Sequence, residues 1–135
     1  DIRGLTISDA SDAHLIAAAT PLTVSSGAYV ILARNGSTSQ NGGVTPLHVY
    51  GKLTLNNPGE TVSLSYDGTL IDQVQYGDAE GTPEATGASL MLKTGSGTPN
   101  NSNNDNGSNW CVSGSAFGDG DLGSPGAANG LCGNE

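Results

Sequence analysis

The stretch "TVSLSYDGTLIDQVQY", residues 61 to 76, carries two runs in which apolar residues recur at alternate positions, with Asp67-Gly68 between them. Alternation of that period lines up apolar side chains on one face of an extended strand. Glycine takes the positive φ that a two-residue turn demands, so an Asp-Gly pair between such runs predicts a β-hairpin. Just upstream, "LNNPGET" (55 to 61) sets Pro58-Gly59 where the chain must reverse before Val62.

Working outward, the same period appears in "GLTIS" (4 to 8), "AYVILAR" (28 to 34), "HVYGKLTL" (48 to 55), "ASLMLK" (88 to 93) and "NWCVS" (109 to 113). Short strands at such spacing, separated by turn residues, predict an all-β sandwich or barrel. Residues 17 to 20, "AAAT", are expected to make at most one helical turn, stopped by Thr20-Pro21. No 12-residue window shows helical periodicity.

With 135 residues the chain suits one domain, taken as 1–135. Leu, Ile, Val and Phe supply only 26 residues, whereas Gly, Asn, Ser and Thr supply 60. Such a chain forms turns readily and has little with which to fill an interior. Charged residues make up 13% of the sequence, too sparse for charge-driven disorder, so the expectation is a folded domain with a thin core and long loops. Two loops stand out, "RNGSTSQNGGVTP" (34 to 46) and "TGSGTPNNSNNDNGSN" (94 to 109). The second has no large apolar residue with which to pack and is expected to be mobile.

A net charge of −9, with Arg3, Arg34, Lys52 and Lys93 as the cations, leaves little to neutralise phosphates, which argues against nucleic acid and anionic membranes as partners. No run approaches the 18 apolar residues of a membrane span, so membrane insertion is not expected. The first residue is Asp and not Met, as would be expected of a processed product, a trimmed chain or a fragment.

Signatures of a nucleophile elbow, a zinc protease helix or a phosphate-binding loop are missing from the sequence. His14 and His48 stand isolated and are expected at strand ends or in loops, not as general bases. No catalytic residue and no bound cofactor are therefore expected. Calcium needs alternating oxygen ligands around a glycine turn with a closing glutamate. Asn101, Asn103 and Asp105 have the spacing, but Asn106 replaces the glycine and Val112 the glutamate. Asp119 and Asp121 lie two apart and would share one side of an extended chain. These aspartates, Asp105, Asp119 and Asp121, are weak metal candidates set against a simpler reading as solvated acids in glycine-rich loops. Asn35, Asn100 and Asn106 head sequons that carry sugar only in a secretory host. Tyr29, Tyr50, Tyr66, Tyr76 and Trp110 are spread over different strands and read as core and rim residues, not as a stacking platform.

Cys111 and Cys132 are the two cysteines, without a CxxC pair. In a lysine-poor, polar chain they suggest a disulfide and an oxidising compartment; the alternative is two buried thiols that never meet. A bridge would close the tail, 130 to 135, and contribute about 3.4 kcal/mol through loop closure.

Taken in order, "DIRGLTISD", "SSGAYVILAR", "YGKLTLNNPGETVSLSYDGTLIDQVQYG", "GASLMLK", "NGSNWC" and "GSPGAAN" resemble the segments of the lamin-tail domain. The likeness runs from Asp1 to about Asn129, with Leu5 where the family often has Trp. The resemblance implies an immunoglobulin-like β-sandwich with long Gly/Asn/Ser loops, of the secreted bacterial type, and no catalytic residues to carry over. It also implies that "GDGDLGSPGAAN" is the closing element, with a turn at Pro125-Gly126 and Asn129 bonding backbone groups. Family members usually begin with one or two further strands, of the type "I-N-E-V" and "E-W-I-E-L-Y-N-P".

A sandwich without its opening strands exposes backbone donors and apolar surface, so a strand from another copy or from a parent-protein segment is the expected partner. The leading expectation is a secreted, non-enzymatic interaction module, self-assembling by strand complementation into an extracellular filament or surface assembly. The second is a calcium-assisted adhesion or targeting domain of a larger secreted hydrolase. The third is an enzyme fragment using His14 or His48.

Overall fold

The hairpin expected at 61 to 76 is the longest element of the computed structural model, which describes residues 1–95, 97 and 99–133. Strands β5 (Gly59–Tyr66) and β6 (Thr69–Gly77) meet at Asp67 and Gly68, whose φ angles of 46° and 75° are both left-handed, as a type I′ turn requires. Their register slips once: Leu64 faces Asp72 and Ser65 faces Leu70, so Ile71 is an extra residue that bulges β6. At the other end Gly59 faces Gly77. A Cβ on Gly77 would sit 2.6 Å from the Pro58 carbonyl oxygen, so the strands can close there only without side chains.

Strands β1 (Leu5–Ser8) and β2 (Ala13–Leu15) complete a four-stranded antiparallel sheet in the order β2-β1-β5-β6. Directly paired residues share a face. One face therefore carries Thr6, Ser8, Thr61, Ser63, Ser65, Gln73 and Gln75, with Leu15 and Leu70 at its margins, and the opposite face carries Leu5, Ile7, Val62, Leu64 and Val74, with His14 and Asp72. On the polar face Gln73 Nε2 donates to Ser63 Oγ (3.1 Å) and Gln75 Nε2 to Thr61 Oγ1 (3.3 Å), bonding strand to strand through side chains as well as backbone.

β2 was not expected, because "AHL" is only three residues long and leads into an alanine run. Its partner turn explains it. Asp9 Oδ1 accepts from the backbone N–H groups of Ser11 (2.8 Å) and Asp12 (2.6 Å), folding the chain back on β1. The alanine run that follows makes no helical turn.

Among the described residues three further sheets have two strands each: β3 (Leu32–Ala33) parallel to β4 (His48–Val49), β7 (Leu90–Leu92) antiparallel to β8 (Trp110–Val112), and β9 (Ala116–Phe117) antiparallel to β10 (Asp121–Leu122). The strands expected over 28 to 34 and 48 to 55 thus shrink to two residues each. Gly51 at φ 67° and a tight bond from Lys52 N–H to the Tyr50 carbonyl (2.7 Å) break the second, and the bend turns Leu53 inward. The pair β9 and β10 was hidden by its glycines.

The protein is an all-β domain made of several separate sheets. Its buried apolar residues among those described are Ile16, Leu53, Met91, Cys111 and Val112, a core as thin as the composition implies. Leu15, Tyr29, Tyr66 and Leu70 are each more than half exposed.

Polar bonds stand in for packing in the 94–109 loop, of which Ser96 and Thr98 lie outside the described residues, as do Asn134 and Glu135 of the 130–135 tail. Asn104 Nδ2 donates to Asp72 Oδ2 on β6 (2.8 Å), Trp110 Nε1 to the Asn104 carbonyl (2.8 Å), and Asn109 Nδ2 to the Asn103 carbonyl (2.7 Å). The closing element behaves as its residues suggest. Ala127 N–H bonds the Ser124 carbonyl across Pro125-Gly126, and Asn129 Nδ2 donates to the Leu92 carbonyl (2.9 Å).

Candidate functional site

The weak metal candidates are scattered. Asp105 is exposed in the polar loop, where Asn103 Oδ1 is already engaged by Asn100 N–H (3.0 Å). Asp119 lies in the turn between β9 and β10, flanked by Gly118 and Gly120 at positive φ, so the extended geometry expected to align it with Asp121 does not exist there. Asp121 sits on β10 opposite Phe117, on the wall of an open groove that also includes Tyr76, Asp78, Thr82 and Glu84. Among the described residues no three His, Cys, Asp or Glu side chains come together.

The sequon asparagines share a different task. Asn35 Oδ1 accepts from Ser37 N–H (2.8 Å), Asn100 Oδ1 from Ser102 N–H (2.9 Å), and Asn106 Oδ1 from Ser108 N–H (3.0 Å). Each N-x-S triplet is thus a local turn closed by its own asparagine.

Cys111 and Cys132 are joined, with Cα atoms 5.7 Å apart. The bridge is laid alongside backbone bonds: Gly114 N–H donates to the Leu131 carbonyl, and Gly133 N–H to the Val112 carbonyl. Together they pin the tail against the end of β8.

Two features stand out, one a contact between residues that the sequence keeps apart and the other a strand edge. The first is a histidine pair. His14 comes from the middle of β2 and His48 from the start of β4, in different sheets, and their Nε2 atoms approach to 2.8 Å. The rings meet almost end to end, centroids 5.0 Å apart and planes inclined by 44°. For two neutral rings such a bond requires one Nε2 to donate and the other to accept, that is, opposite tautomers. Burial holds His14 below the usual histidine range, and the charges of His48 and Lys52 act in the same direction. Nothing in the spacing of 34 residues signals this contact; it follows from β2, the strand that the alanine run concealed.

The second feature is the side of β6 that no strand pairs among the described residues. It is an outer strand of the four-stranded sheet and the longest strand of the molecule. The bulge at Ile71 and the Asp72 carboxylate, bonded to Asn104, interrupt its first half. Gln73, Val74, Gln75 and Tyr76 then run on without a charge, a proline or a bulge. At Gly77 the edge ends, because its N–H donates to Thr82 Oγ1 (2.8 Å).

No family model matches the chain, and no curated protein or solved structure is significantly similar to it.

Proposed function

We propose that this chain is an extracellular, non-enzymatic module of the lamin-tail type, an immunoglobulin-like sandwich, whose activity is to pair a sheet edge with a second copy of itself. The observation that carries the reading is the uncharged Gln73–Tyr76 segment on the outer side of β6. Natural edges are commonly blunted by lysine, proline, bulges or covering loops; the first half of β6 has a bulge and a carboxylate tied to a loop, while Gln73–Tyr76 has no lysine, proline or bulge. An added strand would satisfy the outward N–H and C=O groups, with amide and tyrosine side chains lying across the joint. The thin core and the exposed Leu15, Tyr66 and Leu70 favour further burial by association.

Two copies joined β6 to β6 about a twofold axis make a closed dimer. A β6 placed against the β2 edge of the next copy repeats without closing and makes a filament. The disulfide favours an oxidising compartment, as a secreted module would meet. Two chains of charge −9 repel one another, so association strengthens as salt screens that repulsion.

Sedimentation velocity over a range of protein and salt concentrations tests the reading. Dimers or a longer series should build up with concentration and with salt, and Gln73→Lys combined with Gln75→Lys should suppress them. A chain that stays monomeric throughout, or assembly indifferent to the two lysines, rejects it.

A further inference from the structure

We propose that His14 and His48 form a two-nitrogen binding site for a divalent transition-metal cation of the copper or nickel class, joining β2 to β4. The two Nε2 atoms face one another across a hydrogen bond of 2.8 Å. A metal bonded to imidazole nitrogens at about 2.05 Å would see two donors with that separation at about 86°, close to the right angle between neighbouring ligands of a tetragonal ion. Tetrahedral zinc would need the nitrogens about 3.3 Å apart. The nitrogen spacing therefore suits copper or nickel as it stands; what must change is the aim of the rings, each swinging off the line on which they now face one another.

The proton inventory is simple. The hydrogen bond holds one proton between the Nε2 atoms. Transfer of that proton to Nδ1 of the same ring, through solvent, gives two Nδ1–H tautomers with both Nε2 lone pairs free, and no proton is lost overall. Neutral imidazole is the form that ligates a metal. The ammonium of Lys52 acts electrostatically on His14 and would repel a metal ion, while the chain's net charge of −9 attracts one. Calcium, which takes oxygen ligands, has no claim on this site.

The site also differs in kind from the rest of the structure. β2 and β4 belong to separate sheets, and the histidine contact is a side-chain tie between them. A metal bound beside the two nitrogens would turn that tie into a coordinate link and stabilise whatever conformation holds the two strands together.

The test is titration of the purified, disulfide-bonded chain with copper(II) or nickel(II) salts, followed by calorimetry, thermal melting and, for copper, electron paramagnetic resonance. Expected are one equivalent bound, a raised melting temperature, and hyperfine structure from two imidazole nitrogens. His14→Gln and His48→Gln should each weaken binding at least tenfold, and Lys52→Gln should tighten it. Nickel should bind more tightly than zinc. Failure to bind, binding unchanged in both histidine variants, or zinc binding tighter than nickel would overturn the proposal. Circular dichroism of the variants without metal confirms that a loss of binding is not a loss of fold.

Discussion

In the four-stranded sheet, β5 and β6 run for eight and nine residues and bond side chain to side chain across a polar face; between Asp78 and Gly133 no described strand exceeds three residues. The sheet draws its order from a long register. The later segment draws its order from a covalent bridge, from buried Met91, Cys111 and Val112, and from asparagine side chains that tie loops to backbone. A chain short of large apolar residues has thus used repetition in one half and individual fastenings in the other. Register fails by degrees, whereas a fastening fails all at once.

The difference can be broken most forcefully at the bridge. Replacing Cys111 and Cys132 together with serine should cost about 3 kcal/mol in urea unfolding. Amide exchange should quicken first at β8 and Gly133 while β5 and β6 stay protected. Uniform loss of protection across both regions would show that they are one cooperative unit.

A smaller effect is expected from the sheet's own weak point, the hairpin turn. Gly68→Val forces a branched side chain into left-handed φ and should cost about 1–2 kcal/mol, again by urea unfolding. Its exchange signature should be the reverse, with β5 and β6 losing protection before β8.

The smallest effect concerns Asp9, which closes the turn between β1 and β2. The backbone N–H groups of Ser11 and Asp12 lower its pKa, with lesser help from the Ser11 hydroxyl and Thr54 N–H, and against a burial effect that raises it. A carboxylate lowered in this way stabilises the fold above the ordinary aspartate range, and that stabilisation disappears as pH falls through the lowered value. Asp9→Ala should therefore unfold at a lower urea midpoint than the wild type at neutral pH, and the two curves should converge in acid. A gap that persists in acid would assign the effect to packing instead of charge.

How far the molecule could be read from its residues follows from the same contrast. The hairpin at Asp67-Gly68, the turn after Asn56 and the inward strands at Leu5, Leu90 and Trp110 were legible because each is specified by neighbours: alternation on one side, a turn former on the other. The strands β2, β9 and β10 were not, since two or three residues cannot display a period. The parallel pair β3 and β4 is shorter than its alternation suggests, because the pattern continues through Gly51 in the sequence while the backbone turns there. The histidine contact was invisible for a stronger reason: it depends on two of those misread strands arriving at one place. The role of the N-x-S triplets was present in the sequence all along as asparagine turn chemistry, overshadowed by their resemblance to glycosylation signals.

The disulfide has one more consequence, for how the chain would carry a mechanical load. If tension is applied between Asp1 and Gly133, the chain between Cys111 and Cys132 cannot pay out, which withholds about 65 Å of the length that 21 fully stretched residues would release. Load then passes from Cys132 directly to β8, and β9 and β10 hang from the line of force as a slack, shielded loop.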